Sequence, residues 1–250
     1  MSAERKISIT CAQIEQTDIP KENAESMIQV MDNAQTDVVV FPETMLSGLD
    51  KTTDLTPLQA VLAERAKSRK QWLVYGTYTK GDSVWRRSGP VIHNSGIIVD
   101  PKGEVRLEYH KNHLWNEPGV EDGLGWPVVQ TEIGNLGIVI CWDLAHTETI
   151  KQLVRRNAEL VFVPSYWFGE EFRTTDVIEG LPLSVAFQNQ LYLAYCDAYT
   201  PDGSTAARSK IVSPLEVLAA AQPQKRDIIS AEVDLGRLQE LRKTFDTWKN

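Results

Sequence analysis

The sequence predicts an α/β protein built on mixed sheets, and three observations carry that expectation. Strand-like and helix-like segments alternate over the first part of the chain. Hairpin-like pairs of strands then intervene, and alternation resumes after about residue 147. Alternation implies parallel strands with crossover helices, whereas hairpins imply antiparallel pairs, so both kinds of pairing are expected together. The chain has 250 residues, of which 42% are hydrophobic and 24% charged. That is enough to bury a sheet on both faces, and no stretch rich in Pro, Gly or Ser interrupts it, so a single domain over residues 1–250 is expected.

Residues 7–14 form the first strand pattern. Residues 21–34 place apolar side chains at three- and four-residue steps, which predicts a helix. Residues 37–41 are a short apolar strand ending at Pro42, 58–70 a second helix, and 72–78 a third strand. Residues 91–99 and 105–110 pair across a DPKG turn, and 112–126 is a polar, glycine-bearing loop. Strands over 128–131 and 136–140 flank a Gly-Asn turn. A helix over 147–157 leads to a strand at 160–163 that stops at Pro164, and a helix over 178–190 precedes a strand at 191–196. Three strands within 207–233 and a polar helix from Leu235 complete the chain.

The bulk properties exclude several function classes. A net charge of −8 with no Lys/Arg stripe argues against nucleic acid. No apolar run approaches the length of a membrane span, and the opening MSAERKISIT carries no apolar leader core. Cysteines stand at 11, 141 and 196, odd in number and far apart, which predicts neither a disulfide framework nor a cysteine-based zinc site. A reducing, cytoplasmic compartment is expected.

Three strand exits concentrate the chemistry. VVVFPET places Glu43 just past one apolar strand, LEYHKNHLW places Lys111 at the end of another, and GIVICWD places Cys141 at the end of a third. Taken singly, each has a plain explanation: an exposed loop acid, a solvated hairpin lysine, a small hydrophobe in the core. Cys11 and Cys196 lie inside apolar strand patterns and are expected to be core residues. His110, His113 and His146 match no clear zinc spacing, and no metal or cofactor is expected.

Taken together and in this order, FPE, YHK-N-HL and ICWD resemble the nitrilase superfamily of carbon–nitrogen hydrolases. The opening ISITCAQIE, the later VFVPSYW and FQNQLYLAY, and SKIVSPLEVLA near the end extend the resemblance over nearly the whole chain. The resemblance implies an α-β-β-α sandwich with two mixed sheets inside and helices outside, four layers in an assembled homodimer. It also implies hydrolysis of a non-peptide C–N bond in a small amide through a thioester on Cys141, without a cofactor. Glu43 then serves as the base, and Lys111 with the backbone N–H of Trp142 faces the oxyanion. A second glutamate in the following loop holds the lysine. Glu121 stands nearer the family's usual place, with Glu117 as the alternative. Trp142, Glu117, His146 and Trp167 are the candidate substrate-binding residues. A nitrilase acting on R–C≡N, a silent relative used as a binding module, and acyl transfer to an acceptor other than water are the rival readings.

The chain departs from the family pattern after the nucleophile. Where Cys-x-Asp is often followed by Leu-Arg-Phe-Pro-Glu, this sequence reads LAHTE, so Ala145 takes the place of an arginine suited to a distant substrate carboxylate. Asp197 stands where the family usually has asparagine, and the end of the chain lacks an Arg-rich tail. Weak activity on ω-amides of dicarboxylic acids is expected, unless Arg173 or Arg208 restores the charge.

Overall fold

The computed structural model describes residues 5–83, 85, 89–168 and 176–245. In chain order the elements are β1 (Lys6–Gln13), α1 (Pro20–Asn33), β2 (Val38–Val40), α2 (Thr56–Arg69), β3 (Trp72–Asp82), β4 (Pro90–Val99), β5 (Val105–His110), β6 (Val128–Thr131) and β7 (Gly134–Ile138). A 3-10 turn, Cys141–Ala145, leads into α3 (Thr147–Arg155). Then come β8 (Leu160–Ser165), α4 (Asp176–Asn189), β9 (Tyr192–Asp197), β10 (Lys210–Val212), β11 (Val217–Ala220), β12 (Asp227–Asp234) and α5 (Leu235–Phe245).

The strands form two six-stranded sheets, ordered β12-β1-β2-β3-β4-β5 and β11-β10-β9-β8-β7-β6. Each is mixed. In the first, β1, β2 and β3 are parallel, while β12, β4 and β5 join through antiparallel pairs. In the second, β7, β8 and β9 are parallel, and β6, β10 and β11 are added antiparallel.

The side-chain pattern explains the layering. Strand residues alternate between faces, so Val38 and Val40 of β2 join Ile9, Cys11, Trp72 and Val74 in one core with Ile138, Phe162 and Ala194 of the other sheet. Val39, with Leu73, Tyr75 and Ile97, faces the opposite way onto Met27, Met31, Leu62 and Ala66 of α1 and α2. On the far side of the second sheet Ile150, Leu153 and Val154 of α3 and Ile178 and Ala186 of α4 cover the strands. Helix, sheet, sheet and helix thus come from one chain. The expectation that four layers need an assembled dimer is corrected: each sheet already has its own helical cover. Strands β2, β8 and β9 are buried along their whole length and read as unbroken apolar runs for that reason.

Two boundaries also differ from the sequence reading. The β6–β7 hairpin turns at Glu132 and Ile133, because Gly134 already pairs with Thr131 as the first residue of β7. Strand β8 does not stop at Pro164 but runs through it to Ser165. The Phe162 carbonyl accepts from Val139 on the β7 side, so the N–H that Pro164 lacks would point the same way, beyond the end of β7 at Ile138. Among the described residues no helix is long and apolar enough to cross a membrane.

Candidate active site

The site forms where the two sheets end together. Strands β2 and β5 run the same way within the first sheet, so their C-terminal ends deliver Glu43 and Lys111 to one edge. The ends of β7 and β8 bring Cys141 and Tyr166 to it from the second sheet. All four line a cavity of about 390 Å³ with Asn94, Trp115, Glu117, Trp142, Trp167 and Phe168.

Glu43 is held by a close approach. A Cβ added to Gly76 in β3 would lie 2.5 Å from the Cα of Glu43, so only glycine lets the strand pass beneath the loop. The Gly76 N–H donates to Pro42 and its carbonyl accepts from Leu46, which fixes the loop's path. Glu43 is 4% exposed, and its Oε2 accepts from the Tyr166 N–H at 2.9 Å.

Lys111 emerges one residue past β5, its N–H donating to the Asn94 carbonyl at 2.8 Å. Its Nζ donates at 2.7 Å to Glu43 Oε1 and at 2.7 Å to Glu117 Oε1. The lysine is 2% exposed. Burial by itself would favour the neutral amine, but the carboxylates of Glu43 and Glu117 more than offset it and hold the ammonium above its ordinary range. Such a buried ion set is tolerable only because its members face one another.

Cys141 opens the 3-10 turn with φ +44°, a left-handed conformation unusual for a residue with a side chain. Asp143 holds that turn from within. Its Oδ2 accepts from the Ile140 N–H at 3.0 Å and from the Tyr109 hydroxyl at 2.7 Å, and its Oδ1 accepts from the His113 N–H at 2.9 Å. Burial raises the Asp143 carboxyl to about 6, against the pull of these donors. Burial and then the Glu43 charge push the Cys141 thiol well above its usual range, although Lys111 and Ser165 act in the other direction. Burial and the Glu43 charge both favour the protonated thiol, whose attack on a carbonyl then requires a base.

The structure separates the two candidate glutamates. Glu117 meets Lys111. Glu121 turns elsewhere: its Oε2 accepts from Ser83 Oγ at 2.8 Å and its N–H donates to the Ile92 carbonyl at 2.8 Å. A tight turn at 117–120, where the Val120 N–H bonds back to the Glu117 carbonyl, carries Glu121 away from the lysine. Trp142 and Trp167 line the cavity, the latter fixed by its N–H donating to Asp197 Oδ1 at 3.0 Å.

His146 is not among the residues lining the cavity; it stacks on His113 at 3.7 Å between ring centroids, with its edge toward Trp142. Burial and the neighbouring His113 lower its basicity, so it is a neutral ring near pH 7. Arg208 is turned away and donates to Glu179 Oε2 at 2.7 Å. Arg173 lies outside the described residues. Asn94 went unnoticed in the sequence, although a buried asparagine inside an apolar strand was the available signal.

The carbon-nitrogen hydrolase pattern matches residues 8–243. The chain is 26% identical to a probable nitrilase of Schizosaccharomyces pombe, across 97% of this chain and 94% of that one. It is 27% identical to the 2-oxoglutaramate amidase of Bacillus subtilis, across 96% and 95%. In structure it is similar to a carbon-nitrogen hydrolase from Helicobacter pylori, with a TM-score of 0.84, 21% identity, and 98% and 95% of the two chains covered. It is also similar to a mutant amidase from Nesterenkonia sp. that carries the acetamide moiety of fluoroacetamide, covalently added at its active-site cysteine. There the TM-score is 0.80 at 20% identity, over 98% and 99% of the two chains. With a matching pattern that runs almost from end to end, the chain belongs to the carbon-nitrogen hydrolase family, in the nitrilase superfamily.

Proposed function

We propose that this hydrolase cleaves the C–N bond of a small amide through a thioester on Cys141. The observation that supports this most directly is the meeting of Glu43, Lys111, Glu117 and Cys141 at one cavity. Glu43 takes the proton from Sγ as sulfur bonds to the amide carbonyl carbon. The charge that develops on the carbonyl oxygen faces the Lys111 ammonium and the Trp142 N–H, and Glu117 keeps that ammonium in place. When the C–N bond breaks, Glu43 returns the proton to the leaving nitrogen, which departs as ammonia or an amine. Glu43 then deprotonates a water that attacks the thioester. The acid product leaves, and the proton returns to sulfur.

The acyl part of the substrate meets Trp115, Trp142, Trp167 and Phe168, an aromatic wall that favours an uncharged group. Ala145 offers no cation, and Arg208 is committed to Glu179. Lys51, which also lines the cavity, donates from Nζ to the Pro118 carbonyl at 2.9 Å. Uncharged amides are therefore the expected substrates, ahead of ω-amides of dicarboxylic acids.

We also propose a homodimer. Val177, Phe187 and Phe245 leave large apolar surfaces exposed on α4 and α5, with the Phe187 and Phe245 rings 6.5 Å apart.

A panel of uncharged amides, glutaramate-type amides, carbamoyl compounds and nitriles, assayed for ammonia release, tests the activity. Uncharged amides should turn over fastest, and mass spectrometry of quenched enzyme should find the acyl adduct on the Cys141 peptide. Cys141→Ala should retain the fold and lose at least about 10³-fold in rate. Release from nitriles alone, a clear preference for the glutaramate type, or an adduct on Cys11 or Cys196 would each overturn a part of this reading.

A further inference from the structure

One side chain outside the Glu–Lys–Cys set ties the two glutamates together. Asn94 lies in β4 and is 1% exposed. Its Nδ2 carries two hydrogens, and both are used. One is donated to Glu43 Oε1 at 2.7 Å and the other to Glu117 Oε2 at 2.8 Å. The backbone carbonyl of the same residue accepts from the Lys111 N–H at 2.8 Å. A single residue thus grips both carboxylates and the root of the lysine between them.

The orientation of the amide is fixed by its surroundings. Turned over, its oxygen would face two carboxylates, which accept and cannot donate. The cost of the observed orientation is visible, since Oδ1 is buried with no hydrogen-bond partner among the described residues. Two carboxylates drawn to one ammonium also repel each other. A neutral donor with two hydrogens attracts both without adding a charge.

The saturation of Glu43 has a further effect. Its Oε1 accepts from Asn94 and from Lys111, which occupies both in-plane lone pairs. Its Oε2 accepts from the Tyr166 N–H and, among the described residues, from no other donor. The open lone pair of the carboxylate is on Oε2.

We propose that Asn94 is a positioning residue that saturates Glu43 Oε1, so that proton transfer runs through Oε2, and that also holds Glu117 against Lys111. This rests on Glu43 being the base. In the step itself the Sγ–H bond of Cys141 breaks and an O–H bond forms at Glu43 Oε2. The electron pair left on sulfur forms the bond to the substrate's carbonyl carbon.

The test uses the full-length protein with Asn94→Ala and Asn94→Asp, each checked for a cooperative thermal transition. Two rates are followed against pH: kcat/KM for the best amide, and alkylation of the Cys141 peptide by iodoacetamide, which needs no turnover. Loss of donors to a charged acceptor should lower kcat/KM of Asn94→Ala by about 10- to 100-fold. The ascending limb of both profiles should move about one unit toward higher pH, because a carboxylate stripped of a donor holds its proton more tightly. Asn94→Asp has nearly the same shape but sets a third carboxylate against the other two, and should be slower than Asn94→Ala by about tenfold or more.

A role in shape alone predicts the reverse order, with Asp nearer to wild type than Ala, and unmoved pH limbs. Either result overturns the proposal. If Asn94→Asp does not fold, the pH limbs of Asn94→Ala decide alone. A shifted alkylation profile in a protein that hydrolyses no amide would support the role of Asn94 and sink the amidase reading. An unmoved profile in an active amidase would do the opposite.

Discussion

Asp197 carries a pH dependence that can be read at the scale of one side chain. It is completely buried in β9, and its Oδ1 and Oδ2 accept from the backbone N–H groups of Trp167 and Arg208 at 3.0 and 3.4 Å. Burial raises its carboxyl from 3.8 to about 7, more than these donors lower it. A carboxyl whose folded value lies above its unfolded one contributes stability that is fully present below the unfolded value. That contribution is lost as pH rises through the folded value. The window here runs from pH 3.8 to about 7. The stability advantage of wild type over Asp197→Asn should therefore shrink as pH rises across it, as followed by paired thermal unfolding curves. An advantage that grows with pH would show that the ionised form is the favoured one. At this same scale the sequence revealed Glu43, Lys111 and Cys141, because each reactive residue type stands at the exit of an apolar strand. It hid Asn94 because that residue lies within a strand and acts across the sheet, a relation that spacing does not carry. It misdirected attention to Glu121 because the path of the 112–126 loop depends on tertiary bonds, such as Glu121 N–H to Ile92.

Among the elements, β3 does more than fill the first sheet. It passes under the Glu43 loop closely enough that Gly76→Ala would force a Cβ to within 2.5 Å of the Glu43 Cα. Backbone cannot give way as a flexible side chain can, so the loop must lift and Glu43 with it. The variant should lose about 1–3 kcal/mol of stability, the usual range for overpacking. Its kcat should fall while thermal melting remains cooperative. An Ala variant with wild-type kcat would show that the loop tolerates the shift. Most elements were legible because their periodicities are strong, as in α1, where Ala24, Met27 and Met31 repeat at helical steps. The boundaries that moved were set by partners. Strand β8 extends through Pro164 only because β7 has already ended on the side its missing N–H would face.

For the whole molecule, the pairing of sheets was readable as a mixed architecture, whereas the supply of all four layers by one chain was not. Which helix covers which sheet depends on the crossovers, and residue patterns give faces without partners. The outer face of α4 and α5 gives the prediction at this scale. Sedimentation should return twice the 28.1 kDa chain mass, and Phe187→Glu with Phe245→Glu should shift it toward one chain. A wild-type mass of one chain at micromolar concentration would remove the dimer.

The antiparallel pairing of β12 with β1, from Lys6 opposite Asp234 to Gln13 opposite Asp227, also orders events on the ribosome. The first of the described strands waits for the last of them. Until residues 227–234 have left the exit tunnel, β1 has an open edge, the kind of edge that recruits other chains. Strand β1 lies directly beside β2, which carries Glu43 at its end. A nascent chain therefore holds Glu43 beside an unsealed sheet edge, and a translational pause before residue 227 should favour aggregation.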